Sequence, residues 1–161
     1  MAKFIAAENV EIFAVTTLSS LTSPTATQIN AGTRLTTKIT GGVNIDFSAN
    51  LVDAATLESA FNSTVAGTYG GGLNSLSGVL KDNVVGSDTA WTTATRRGVT
   101  GWLVIAPYNP GTVIASGDIV DIYPWEVVSQ NIGDLARDQL VKFDVGFAIT
   151  STPTLGATAV T

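Results

Sequence analysis

From Val141 the chain runs Val-Lys-Phe-Asp-Val-Gly-Phe-Ala-Ile-Thr, so Val141, Phe143, Val145, Phe147 and Ile149 alternate with Lys142, Asp144, Gly146, Ala148 and Thr150. Side chains alternate across a β-strand, and this period of two predicts one half-buried strand. Asp118 to Val128 is a second β-rich run, interrupted by Pro124, and the polar segment Ser129 to Asp138 carries Gly133 as a breaker. Together they predict two antiparallel strands joined by a long loop, with Pro124 placing the first near an edge or a bulge.

The same alternation recurs upstream. In Val10 to Thr17, Val10, Ile12 and Ala14 oppose Glu11, Phe13 and Val15; in Thr33 to Thr40, Leu35, Thr37 and Ile39 oppose Arg34, Thr36 and Lys38. Gly41-Gly42 interrupts, and Val43, Ile45 and Phe47 resume, as a hairpin or as one strand kinked at the glycines. Leu73 to Leu80 and Trp102 to Ala106 read as further strands, the latter followed by a turn from Pro107 to Gly111. Ser19 to Ala31 reads as a polar loop with Pro24, and Gly67 to Gly72 as a flexible turn without a phosphate-cradling pattern.

Two stretches have helical signals. Asn50 to Phe61 has Asn50 or Asp53 as a cap and Leu57 and Phe61 four apart on one face. Ser87 to Arg97 has Asp88 as a cap, Arg96 and Arg97 at the negative end of the helix dipole, and Gly98 as the stop; a strand is the alternative there. The pattern predicts a mainly β fold: a β-sandwich or partly closed barrel with one or two short flanking α-helices. We expect one domain over residues 1–161, with 1–9 and 153–161 as candidate arms.

Composition narrows the function. Of 161 residues only 13% are charged, about half the usual share, while 45% are hydrophobic. Low charge beside abundant Thr, Ser, Ala and Gly suits a surface covered by neighbouring copies. The net charge of −5 argues against a nucleic-acid grip, which needs a basic surface to displace counterions. With no cysteine and no histidine, there is no thiolate chemistry and neither the commonest general base nor the commonest metal ligand. No run reaches the ~18 apolar residues of a membrane span, and the N-terminus has no signal-peptide pattern.

Carboxylates are the remaining acid–base material. Asp118 and Asp121 are oddly spaced, which puts them on opposite faces of a regular strand, and Asp134 and Asp138 lack a metal-binding loop framework. We therefore expect no enzyme, no cofactor and no metal. Arg96 and Arg97 are too few for a nucleic-acid patch and read as a helix-end pair or inter-subunit contacts. Trp125 beside Pro124 reads as packing at a sheet edge or subunit interface rather than as a ligand platform.

Four stretches, in order, carry a resemblance: P-T-A-T-Q-I-N-A-G-T-R-L-T-T from Pro24, S-D-T-A-W-T-T-A-T-R-R-G-V-T-G-W-L-V-I from Ser87, D-I-Y-P-W-E-V from Asp121, and F-D-V-G-F-A-I-T-S-T-P from Phe143. The set resembles the tail tube proteins (major tail proteins) of long-tailed, non-contractile bacteriophages that infect actinobacteria. Arg34 departs from it, standing where the family pattern has an acidic residue. The resemblance implies a virion protein, made in the host cytoplasm, that assembles into stacked hexameric rings. Its implied partners are further copies of itself, the tape-measure protein, and the tail terminator and distal tail proteins. DNA would pass through the lumen without specific binding, and no membrane would be involved. An acidic lumen would repel the phosphate backbone, and Asp118, Asp121, Glu126 and Asp144 are the candidates to line it, although alternation forbids all four from pointing one way. The alternative is a soluble β-sandwich binding module (a carbohydrate-binding or adhesion domain) with Trp102, Tyr123 and Trp125 as an exposed aromatic platform.

Overall fold

A computed structural model describes residues 9–53, 64–71, 74–79, 90–109, 111, 113–133, 137 and 141–161. Its elements, in chain order, are β1 (Glu11–Val15), α1 (Ala26–Asn30), β2 (Thr33–Arg34), β3 (Ile39–Asn44), β4 (Phe47–Asp53), β5 (Thr64–Gly71), β6 (Asn74–Val79), one π-helical turn (Ala90–Ala94), β7 (Thr100–Ala106), β8 (Ile119–Ile132), β9 (Lys142–Ile149) and β10 (Thr154–Thr158). The 8-stranded sheet runs β2-β1-β7-β8-β9-β6-β3, with β10 also on β8, and β4 pairs with β5 in a separate two-stranded sheet. The pairings between these strands are antiparallel, and one isolated bridge, Thr25 to Val160, is parallel.

The period of two along β9 holds. Phe143, Val145 and Phe147 are buried, Val141 and Ile149 half-buried, and Lys142 and Asp144 exposed. Along β1 and β7 both faces are buried, and the alternation sorts them into two cores. Ile12, Ala14 and Leu103 join Leu76, Trp125, Val127, Phe143, Val145 and Phe147 in an inner core. Phe13, Val15 and Val104 join Ile29, Ile114, Val120, Ile122 and Ala157 in an outer one. β1 and β6 stand four strands apart, about 19 Å in a flat sheet, yet Ile12 and Leu76 share one core. The sheet is therefore curled. It does not close: among the described residues β2 and β3 do not pair, and Leu35 to Lys38 crosses between these two edges.

Several expectations change against this frame. Pro124 is not on an edge strand, since β8 lies between β7 and two partners, β9 and β10. The β9 ladder stops at Trp125↔Ile149 and the β10 ladder starts at Ile122↔Thr154. Pro124 sits in the gap between them, where its carbonyl accepts from Thr150 N at 2.9 Å. The N and C=O of a strand residue point to the same side, so the missing N–H faces a place where the ladder is interrupted anyway. A bulge does occur in β8, but between Val127 and Ser129.

Asn50 to Asp53 belongs to β4 rather than to a helix, with Val52 opposite Val65 and Ala49 opposite Tyr69; residues 54–61 lie outside the described residues. The glycines expected to form a turn run through β5 up to Gly71. Thr33 to Thr40 is not one strand, because Thr36 to Lys38 is a turn. Of the two readings at Gly41-Gly42 the kinked strand holds: β3 shifts register between Ile39 and Gly42, and Gly42 takes φ +85°, the left-handed conformation that suits glycine. Ser19 to Ala31 is not merely a loop, since Thr25 caps α1 by accepting from Gln28 N, and Ile29 on α1 is fully buried.

The second helical stretch is one π-helical turn. The backbone N–H of Thr95 and its hydroxyl both donate to Ala90 O, at 3.0 and 2.7 Å. Trp91 on this turn packs edge-on against Phe143 at 5.6 Å. The 153–161 stretch lies against the protein as β10, with Ala157 and Ala159 buried. Residues 1–8, Asp88, Asp134 and Asp138 lie outside the described residues.

Candidate assembly surfaces

The sheet has two sides, and they are finished differently. The side opposite the inner core is covered over β1, β7 and the first half of β8 by α1 and the C-terminal stretch, which together bury the outer core. Further along, on β8, β9 and β6, the same side carries polar or small residues. Glu126 lies opposite Thr100 and Ala148, and Asp144 opposite Ser77 and Asn131. Glu126, Lys142, Asp144 and Ser75 are all exposed there. The Ser77 hydroxyl donates to Asp144 Oδ1.

Two of the four candidate carboxylates thus share one exposed face, and two do not. Asp118 precedes β8 and is half-buried; its Oδ2 accepts from Ala115 N at 2.7 Å and from Asn109 Nδ2 at 3.1 Å. Asp121 shares the opposite side of β8 with Tyr123, and accepts from Gly156 N at 2.8 Å. Burial first, and then the charge of Asp121, push the Tyr123 phenol above its ordinary pKa.

Arg96 and Arg97 are exposed in the turn that follows the π-helical turn. That turn is tied to β8, with Gly98 N donating to Val127 O at 2.8 Å and Val127 N to Val99 O at 2.9 Å. Trp125 corrects the expectation placed on it. It is 1% exposed and packs edge-on against Phe147 at 5.3 Å, so it offers no surface to a neighbouring subunit. The reason is strand parity: Trp125 shares its side with Val127, which faces the inner core. The aromatic platform fails on the same count. Trp102 packs on the outer core and Tyr123 on the inner one, so the three rings form no common exposed row.

Two features had no place in the sequence reading. The first is a clip at the open edge of the sheet. Glu11 is 5% exposed; its Oε2 accepts from Arg34 Nε at 2.6 Å and from the Thr36 hydroxyl at 2.8 Å. Its Oε1 accepts from Arg34 Nη2 at 2.5 Å, a bidentate geometry that fixes both partners. The departure at Arg34 therefore has its matching charge within the chain. The bond to Glu11 holds the Arg34 guanidinium above its ordinary pKa. A carboxylate among the apolar residues of β1 was the available signal.

The second feature is the β7–β8 connection, whose described residues form no helix or strand yet are held firmly. Asn109 is 7% exposed; its Oδ1 accepts from Gly111 N at 2.7 Å and its Nδ2 donates to Val113 O at 3.3 Å. Ile114 is buried in the outer core. On this framework Tyr108 is 75% and Val113 61% exposed. Among the described residues no group of His, Cys, Asp and Glu side chains is placed to hold a metal ion.

A family model described as phage tail tube protein matches residues 1–161. No curated protein matches the sequence. Among solved structures, the chain is similar to one from the tail of an empty GTA particle, refined helically with C6 symmetry, at TM-score 0.56 and 15% identity over 97% of this chain and 100% of that one. It is similar to a chain from the virion of a native gene transfer agent particle at TM-score 0.57 and 15% identity, over 92% and 96%. A third similarity is to a chain of the six-fold symmetrised baseplate of the anti-feeding prophage, at TM-score 0.54 and 14% identity over 98% and 99%. At these identities the likeness is one of fold.

Proposed function

The chain belongs to the phage tail tube protein family, a structural component of the virion tail and not an enzyme, and from that premise we propose that it closes into six-membered rings that stack into a tube. The observation that carries the reading is the family match over the whole of residues 1–161. The C6 and six-fold symmetry of the GTA and anti-feeding prophage assemblies that hold similar folds supports six as the number. Rings of this kind are heterologous assemblies, in which one patch of each subunit meets a different patch of the next.

Free strand edges give the contact a chemical basis. Among the described residues β3 pairs only with β6, and β10 only with β8, so each leaves a row of backbone donors and acceptors to be satisfied by a neighbour. An obligate contact of this class buries about 2,000 Å² or more. Arg96 and Arg97, exposed on a turn fixed to β8, are proposed as inter-subunit contacts. The polar face that carries Glu126 and Asp144 is proposed to line the lumen, where negative charge keeps DNA moving. The tape-measure protein would occupy that lumen during assembly, and the tail terminator and distal tail proteins would meet the two ends of the tube. The actinobacterial host and the non-contractile tail rest on the resemblance of the four sequence stretches.

Electron microscopy of the purified protein over a concentration series tests the reading. Stacked rings with a hollow centre are expected. A protein that stays monomeric at high concentration, or a tube with a basic inner wall, would overturn it.

A further inference from the structure

A tube needs two kinds of contact, around the ring and between rings, and strand edges supply only the first. Hydrogen bonds in a sheet run across the strands. If neighbours in a ring meet through strand edges, the strand ends must face up and down the tube. β8 is the longest strand at 14 residues, about 45 Å from end to end, and exposed apolar side chains stand at both its ends. Tyr108, Val113 and Ile119 lie at the start, and Val128 and Ile132 at the finish, with exposures of 75, 61, 52, 45 and 48%.

The starting end is also built rigidly. Ile114 is 2% exposed in the outer core, and its backbone is held on both sides by the Asn30 side chain at 2.8 and 2.9 Å. Asp118 and Asn109 are bonded to each other, and between them hold the backbone of Gly111, Val113 and Ala115. A connection so fixed has lost its conformational entropy in advance, which favours binding by the side chains it displays. A tyrosine on such a support has the character of an interface anchor.

We infer that Tyr108 and Val113 form a preset apolar contact through which each ring seats on the next, against the Val128–Ile132 end of a second copy of this chain. The inference rests on the tube reading and adds to it the surface that stacks.

Tyr108→Asp and Val113→Asp test it, since both side chains are exposed. Both variants should melt like the parent and still form rings, while tubes appear only at concentrations at least about tenfold higher, the scale of one anchor residue. The chain has no cysteine, so Val113→Cys supplies a unique thiol by a milder change. A maleimide should label it in free subunits and at least about tenfold more slowly in tubes.

Variants that make tubes at the parent's concentration, with equal labelling in both states, would overturn the inference and leave the tube reading intact. Variants that lose rings as well would place the contact inside the ring, which also overturns it. A parent protein that forms no tube removes both readings together.

Discussion

The side-chain amide of Asn30 makes two hydrogen bonds to the backbone of a single residue, Ile114. Its Nδ2 donates to Ile114 O at 2.8 Å and its Oδ1 accepts from Ile114 N at 2.9 Å. An amide is one of the few side chains with a donor and an acceptor side by side, as this pairing needs. It joins the end of α1, which covers the outer core, to the β7–β8 connection, which displays Tyr108 and Val113.

Asn30→Ala leaves both Ile114 groups without their partner in a partly buried place, so we expect a loss of about 1–3 kcal/mol in denaturant unfolding. Amide exchange at Ile114 should accelerate as well. Unchanged stability and unchanged exchange would mean that the connection is held by Asp118 and Asn109 alone.

Phe143 can be disturbed in two opposite ways. Phe143→Ala, like Phe147→Ala, empties part of the inner core and should cost about 3–5 kcal/mol. Gly78→Ala overfills the same site, because a Cβ there would come within 2.5 Å of Lys38 O and 2.8 Å of the Phe143 ring. We expect about 1–3 kcal/mol from that strain, and the Gly78→Ala, Phe143→Leu pair should recover part of it in thermal unfolding. Independent, additive effects would show that the two positions do not share one space.

Tyr123 makes stability fall at high pH. Burial and the Asp121 charge raise the folded pKa of the phenol, so the folded protein holds this proton more tightly than the unfolded chain. The contribution is fully present below the ordinary tyrosine value of about 10. It is lost as pH rises through the folded value, because the unfolded chain ionises first. Tyr123→Phe should therefore match the parent's pH profile near neutrality and decline less steeply on the alkaline side. Parallel unfolding curves for the two proteins at every pH would contradict the assigned burial.

How much of this was legible depends on whether the deciding contact was local. β9 was plain because its alternation lies within ten consecutive residues. Alternation also held the key to Trp125, which shares parity with the apolar Val127, but the neighbouring proline drew the reading towards an edge. α1 announced itself only through Thr25-x-x-Gln28, a capping pattern on a helix of five residues, too short to show a period. The β4–β5 pair was hidden because glycines read as a turn until a distant partner strand supplies the ladder. The division of the acidic candidates was partly visible: odd and even positions along β8 had to face opposite ways, as Asp121 and Glu126 do. Which of those sides stays uncovered depends on where α1 and the C-terminal stretch come to rest, and no local pattern contains that.

The exposed face of β8, β9 and β6 makes the last prediction. It carries Glu126 and Asp144 against Lys142, a local formal charge of −1, counting two carboxylates and one ammonium. Glu126→Lys with Asp144→Lys makes it +3, and six-fold repetition would turn one ring's wall strongly basic. Neither side chain packs in a core, and among the described residues Asp144 gives up only the bond from Ser77, so folding should change by no more than about 0.5 kcal/mol per site. If this face lines the lumen, tubes of the double variant should retain duplex DNA at low salt and release it steeply as salt rises, the signature of displaced counterions. Parent tubes should retain none under the same conditions. The comparison must use intact tubes with blocked outer surfaces, for example with the duplex loaded before a capping antibody is added, so that only enclosed DNA is scored. Double-variant tubes that enclose no more DNA than the parent would place Glu126 and Asp144 on the outside of the tube.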